Sequence, residues 1–126
     1  MANQHAAPVF LNLLRIRVPV GAVTSIAHRI SGVLMFLGLP LLIYLLDLSL
    51  QGPGGFARAV EYLQCTSLRV ASTVIAWSLF HHLFSGIRFL LIDTGSGVNL
   101  QQARRSAWLV NIAGVAMALI YLWRVL

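Results

Sequence analysis

The 126 residues are 59% hydrophobic and only 10% charged, where soluble domains carry roughly 25% charged residues. Three spans of roughly 20 apolar residues each, with their loops, nearly use up such a chain, which excludes a soluble catalytic domain and leaves one membrane domain over residues 1–126. The net charge of +6 comes from arginines with no lysine, against Asp47, Glu61 and Asp93; because the arginines flank apolar segments, the expected partner is the lipid headgroup region and not nucleic acid.

In chain order, Met1 to Ala7 is small and polar and reads as loose. Pro8 to Pro19 is apolar with Asn12, Arg15 and Arg17 interspersed. It is too short to span and suits a segment lying at the membrane surface or against a partner subunit; a disordered leader is the alternative. Residues 1–14 lack a basic start, and the first long apolar run begins only after Arg29 and exceeds the ~7–15 residues of a secretory signal's core, so that run is expected to remain as a span. The fold expected is an all-α membrane protein: three transmembrane helices at about 26–48, 68–92 and 106–125, preceded by the short N-terminal surface segment.

The uncharged body of the first span runs from Ile30 to Leu46, and Pro40 inside it is tolerable in a membrane. Gln51-Gly-Pro-Gly-Gly is a turn cluster, and Phe56 to Gln64 has the pattern of a short amphipathic helix. Gly95-Ser96-Gly97 ends the second span, and Gln101 to Arg105 reads as a polar, basic connector. In the third span Gly114, Ala116 and Ala118 offer small surfaces for close helix contact, or are ordinary lipid-facing residues. The single cysteine, Cys65, excludes an internal disulfide and a multi-cysteine iron–sulfur motif, and reads as a loop or helix-end thiol. Arg15, Arg17, Arg29, Arg88, Arg104 and Arg105 fall on one side of the membrane, and Arg58, Arg69 and Arg124 on the other. That excess predicts a cytoplasmic N-terminus and a C-terminus on the far side.

Ionisable side chains inside apolar segments are expensive, which makes them functional suspects. Ser25, Arg29 and Gly32 recur at i, i+4 and i+7 and share a helix face, with His28 at its margin. A hydroxyl and a guanidinium so placed can hydrogen-bond a carbonyl oxygen or a carboxylate; the plainer reading of Arg29 is a snorkelling anchor. His81 and His82 are adjacent, so they point about 100° apart and only one faces a given pocket squarely. A neutral imidazole is a good metal ligand. Gly86, one turn beyond His82, leaves room for a flat macrocycle, and Arg88, six residues beyond His82, lies about 9 Å from it along the axis, within reach of charged groups such as propionates. Helix-packing hydrogen bonds are the competing reading of the histidine pair. A six-coordinate haem takes its two axial ligands either from His28 and His82 together or from His82 and another subunit.

These stretches resemble one known family. Ser25-Ile-Ala-His28-Arg29-Ile-Ser-Gly32 is similar to the S-x-x-H-R-x-[ST]-G signature of the cytochrome b subunit of succinate dehydrogenase. His82-Leu-Phe-Ser-Gly86-Ile-Arg88-Phe-Leu-Leu-Ile-Asp93 resembles that family's H-x3-G-I-R-H-x3-D segment, and the Pro8-Val-Phe-Leu-Asn-Leu leader is also similar. The resemblance covers essentially the whole chain. It implies one of two membrane anchors of succinate:ubiquinone oxidoreductase in a bacterial inner membrane, with flavoprotein and iron–sulfur subunits docked on the cytoplasmic side. On that reading the isolated chain is not a self-sufficient enzyme, and activity belongs to the complex. It implies haem b with His82 as one axial ligand and the other from the small hydrophobic partner subunit. His28, Arg29 and Arg88 are then expected near the haem propionates. Ser25 and Arg29 match the family's quinone-site serine and arginine, and Asp93 an acidic position near the pocket of the substrate, ubiquinone. The chain departs from the pattern at Phe89, where relatives often have histidine, and His81 has no counterpart in the motif. A haem-free structural anchor and an unrelated small transporter subunit are the alternatives to a redox anchor.

Overall fold

The computed structural model describes residues 18–126. The surface segment expected at Pro8 to Pro19 therefore lies almost wholly outside the described residues. Four helices make up the described chain: α1 (Val20–Leu50), α2 (Pro53–Gln64), α3 (Thr66–Asp93) and α4 (Leu100–Val125). Helices α1, α3 and α4 are each long and apolar enough to cross a membrane. At 1.5 Å per residue α1 is about 46 Å long, more than the ~30 Å hydrocarbon thickness, so its ends reach the headgroup level or the helix tilts.

The element ends follow local chemistry. Pro19 precedes α1 in extended conformation, and Pro40 sits inside the helix without ending it. Helix α2 begins three residues before the expected Phe56, at Pro53, because proline at a first helical position forfeits only an amide that has no partner there. Gly95, at φ +83°, closes α3: its amide donates to the Ile92 carbonyl and that of Ser96 to the Leu91 carbonyl, the paired bonds of a left-handed C-terminal cap. Helix α4 starts earlier than the sequence suggested. Gln101 to Arg105 is its first turn and not a connector, since the Asn99 side chain caps the helix by accepting from the Gln101 amide at 3.0 Å and nothing in the stretch breaks it.

The packing is inverted relative to a soluble bundle. Phe36, Leu90, Leu109 and Trp123 are each about two-thirds exposed or more, whereas Thr24, Ser31, Ser78, His81, Ser85 and Arg88 are buried. Hydrocarbon solvates leucine as well as a protein interior does, so close backbone approach and interhelical hydrogen bonds hold such helices together. Glycines allow that approach. A Cβ on Gly38 would stand 3.0 Å from Ile75, and one on Gly114 would stand 3.2 Å from the Cβ of His81. Helix α3 packs against both α1 and α4 and is the central element; α2 packs mainly on α1, with Ala59 and Leu48 buried.

Candidate functional site

Helix periodicity gives α3 two polar faces. Ser78, His81, Ser85 and Arg88 recur at i−3, i, i+4 and i+7 and form one stripe. Against it α4 presents Asn111, Gly114, Ser106 and Ala103. His82 and Gly86, one turn apart, face α1 together with Phe89.

On the α4 face His81 is 2% exposed and both ring nitrogens are engaged. Nε2 lies 3.1 Å from Asn111 Oδ1, and Nδ1 lies 3.3 Å from the Ser85 hydroxyl. An amide oxygen only accepts, so Nε2 carries the proton, and Nδ1 is left to accept from Ser85. Thr24 brings α1 into the same knot, its hydroxyl 3.2 Å from Asn111 Oδ1 and 3.0 Å from the Val20 carbonyl. Trp77 covers the ring at 5.2 Å between centroids. One buried network thus joins all three long helices.

On the α1 face His82 is half-buried, and its Nδ1 lies 3.1 Å from the His28 carbonyl oxygen and 3.2 Å from the Ser31 hydroxyl. Ser31 already donates its one proton to that same carbonyl, at 2.8 Å. Both groups facing Nδ1 therefore act as acceptors, which fixes the proton on Nδ1 and leaves the lone pair on Nε2. Nε2 has no hydrogen-bond partner among the described residues. A backbone carbonyl on one ring nitrogen with a free lone pair on the other is the tautomer metal-ligating histidines adopt. Gly32 makes the seat, since a Cβ there would come within 3.1 Å of the His82 ring. No group of three or more histidine, cysteine or acidic side chains is assembled for a metal ion among the described residues, so a protein-only metal cage does not arise from them.

The His28 ring stacks on that of His82, with centroids 4.0 Å apart and planes 14° from parallel, and Phe89 meets it edge-on at 5.3 Å. Imidazole lone pairs lie in the ring plane. Two nearly parallel, face-stacked rings do not aim them at one iron from opposite sides, so this arrangement of the described residues is not a trans pair of axial ligands. Arg88, expected near a propionate, turns to α4 instead: Nε donates to the Ser106 hydroxyl at 3.0 Å and Nη2 to the Ala103 carbonyl at 3.0 Å. Ser25 is half-buried, while Arg29 and Asp93 are exposed, and their side chains make no hydrogen bond among the described residues.

The chain matches the family described as succinate dehydrogenase/fumarate reductase transmembrane subunit over residues 3–122. It belongs to that family. The succinate dehydrogenase cytochrome b556 subunit of Paracoccus denitrificans is 31% identical over 120 residues, covering 95% of this chain and 92% of that one. The subunit of the same name from Coxiella burnetii is 32% identical over 120 residues, covering 92% and 96%. The mitochondrial cytochrome b560 subunit of Caenorhabditis briggsae is 36% identical over 98 residues, covering 73% of this chain and 52% of its own. Membership makes the chain a transmembrane subunit whose enzymatic activity belongs to an assembly, and the three apolar helices make it multi-pass.

Sequence reasoning had singled out neither Asn111 nor its partner Thr24. The signal existed: Asn111 stands alone among Leu109, Val110, Ile112 and Ala113, and an amide inside an apolar span must find a partner. Ser31 entered the reading only as a motif letter, although its hydroxyl, at 0% exposure, helps fix the tautomer of His82.

Proposed function

We propose that the chain is the haem b-binding anchor of succinate:ubiquinone oxidoreductase, respiratory complex II, and contributes to its ubiquinone-reduction site. One observation carries this reading: His82 is held through Nδ1 by the His28 carbonyl with Nε2 free, while its neighbour His81 has both nitrogens engaged. The relatives from Paracoccus denitrificans and Coxiella burnetii are named cytochrome b556 subunits, which fits a b-type haem.

His82 Nε2 would hold the haem iron, with a residue of the small hydrophobic partner subunit as the other ligand. His28 and Arg29, on the α1 side of His82, would lie close to the propionates, with the Arg29 guanidinium supplying the opposite charge. Arg88, engaged on α4, is left out of that set. When bound, the haem supplies a one-electron redox centre, and the chain supplies position and field. The Ser25 hydroxyl and Arg29 guanidinium, one turn apart, donate hydrogen bonds to a carbonyl oxygen of ubiquinone and stabilise the negative charge that develops there on reduction. Asp93, exposed at the end of α3, relays protons from water, since reduction to the quinol takes up two protons with two electrons. Helix α1 begins, α3 ends and α4 begins at one end of the bundle, so Arg29, Asp93, Arg104 and Arg105 gather there. The arginine excess makes that end cytoplasmic in a bacterial inner membrane, where flavoprotein and iron–sulfur subunits dock.

The test is to purify the complex through this subunit and record its dithionite-reduced minus oxidised spectrum. A low-spin b-type band, with flavoprotein and iron–sulfur subunits in the same fraction, is expected. Those partners without a haem band would reduce the chain to a structural anchor. Arg29→Ala and Ser25→Ala should each lower succinate–ubiquinone activity at least tenfold while sparing succinate oxidation by an artificial acceptor. Equal loss of both activities would count against the quinone assignment.

A further inference from the structure

A cavity of about 480 Å³ opens between α3 and α4 on the face turned away from α1. Its floor holds Arg88, which is 8% exposed. The hydrogen-bond partners of Arg88 among the described residues are a hydroxyl and a carbonyl and its guanidinium carbon lies 5.3 Å from the Phe89 ring centroid, but no carboxylate reaches it, and Nη1 makes no hydrogen bond to those residues. These bonds satisfy two of its donors but leave its positive charge without a counter-ion inside a membrane span, where an anion would lower its cost. The polar rim is Ser96, Gly97, Gln102 and Ser106, and beyond it the walls are apolar, from Leu91 and Leu109 to Phe84 and Ala113. A second furrow, lined by Arg104, Arg105 and Trp108, shares Leu109 with the first.

We infer that this cavity holds one anionic phospholipid, with its phosphate on Arg88 and Gln102 and an acyl chain running past Leu109 to Ala113. The shape and charge of the groove select that occupant. From Gln102 to Ala113 the groove follows α4 for roughly 16 Å, with its polar mouth at the headgroup end and its apolar end toward the bilayer centre. The occupant therefore has an anionic head and a long apolar tail. The exposed Arg104 and Arg105 beside the mouth raise the local positive potential and favour an anionic over a zwitterionic head. The second furrow, on the other side of the Leu109 ridge, takes the other chain of the same lipid. None of the lining residues lies on the His82 face of α3, and Arg88 touches that face only through the Phe89 ring, so the lipid site is spatially separate from the proposed haem and quinone residues.

The experiment uses the intact complex, delipidated in a neutral detergent and titrated with phosphatidylglycerol or phosphatidylcholine, with bound lipid counted by native mass spectrometry. One phosphatidylglycerol per copy of this chain should bind, at least tenfold tighter than phosphatidylcholine. Arg88→Gln, which can still hydrogen-bond but lacks the charge, should abolish that preference. Ala113→Phe, which fills the deep end and leaves every charge in place, should lower the affinity of both lipids; it also covers the case in which Arg88→Gln fails to assemble. Equal affinity for the two lipids in the unaltered complex would overturn the inference. So would a cross-link from a partner subunit into the groove, or loss of haem in Arg88→Gln with lipid retention unchanged, which would assign the anion on Arg88 to a propionate.

Discussion

His81 and His82 are chemically identical neighbours that substitution should separate completely. Truncating His81 to alanine removes two side-chain hydrogen bonds, leaves Asn111 Oδ1 and the Ser85 hydroxyl facing an empty space, and opens a hole against Gly114. Interhelical hydrogen bonds within membranes average about 0.6 kcal/mol and reach ~1.7. One such bond to Asn111 and one within α3 to Ser85, with the lost ring packing, make the expected destabilisation roughly 2–4 kcal/mol. His82→Ala removes a half-buried ring and one bond to a carbonyl that keeps its Ser31 donor, so its packing cost is about 1–2 kcal/mol. Haem content should run the other way. The assay is haem per assembled complex, from the pyridine haemochrome spectrum and flavin content, beside the midpoint of thermal disassembly. His81→Ala should keep near-stoichiometric haem at a lower midpoint, and His82→Ala should lose the haem band. Haem lost from His81→Ala but retained in His82→Ala would refute the tautomer argument and the assignment of the two faces of α3.

Two further substitutions probe the packing. Gly114→Leu places a side chain where even a Cβ would meet the Cα and Cβ of His81 at 3.2–3.3 Å, so α3 and α4 must separate and the yield of assembled complex should fall severalfold; Gly114→Ala, with less to accommodate, should fall less. Asn111→Leu leaves the His81 Nε2–H without its acceptor, while the Thr24 hydroxyl keeps the Val20 carbonyl, and should destabilise the bundle by about 1–3 kcal/mol, read as a lower disassembly midpoint with haem content preserved; loss of haem at an unchanged midpoint would contradict it.

The spans were legible because length and apolarity alone identify them, and the α3 terminus because Gly95 and Gly97 can take the positive φ that closes it. The start of α4 is less legible, since Gln101 to Arg105 is polar and polarity in a sequence points to a loop. In a membrane helix the first turn stands in the headgroup layer, so polarity there marks depth and not secondary structure. Which face of each span is buried was the harder question. Helices that are apolar all round carry little amphipathic signal, and here the usual sign of that signal is reversed, with leucines outward and serines inward. The motif letters located His82 and Gly86 correctly on one face. They gave no means of knowing that Arg88, six residues on, had turned to α4, because its partners Ser106 and Ala103 lie across a turn and carry no distinctive spacing.

The two faces of α3 also bear on which histidine is open to a metal. Every bond of the Thr24–Asn111–His81–Ser85 knot is made within this chain, so the chain's own contacts set the rotation of α3 about its axis. Rotating His81 to the α1 face would take about 100° of turn, which would also withdraw Arg88 from Ser106 and Ala103. Even without rotation, coordination by His81 would first break its own hydrogen bonds, at about 1–3 kcal/mol, whereas His82 Nε2 gives up none. By RT ln K that difference favours His82 by roughly 5- to 150-fold before steric access is considered. The steric term adds to it, since His81 is enclosed by Trp77 and Gly114 while His82 has a glycine at Gly32 on the facing helix and another one turn away at Gly86. A second histidine beside the proposed ligand is thus harmless, because the same side chain that could compete for a metal is the one that locks the helix in the orientation presenting His82.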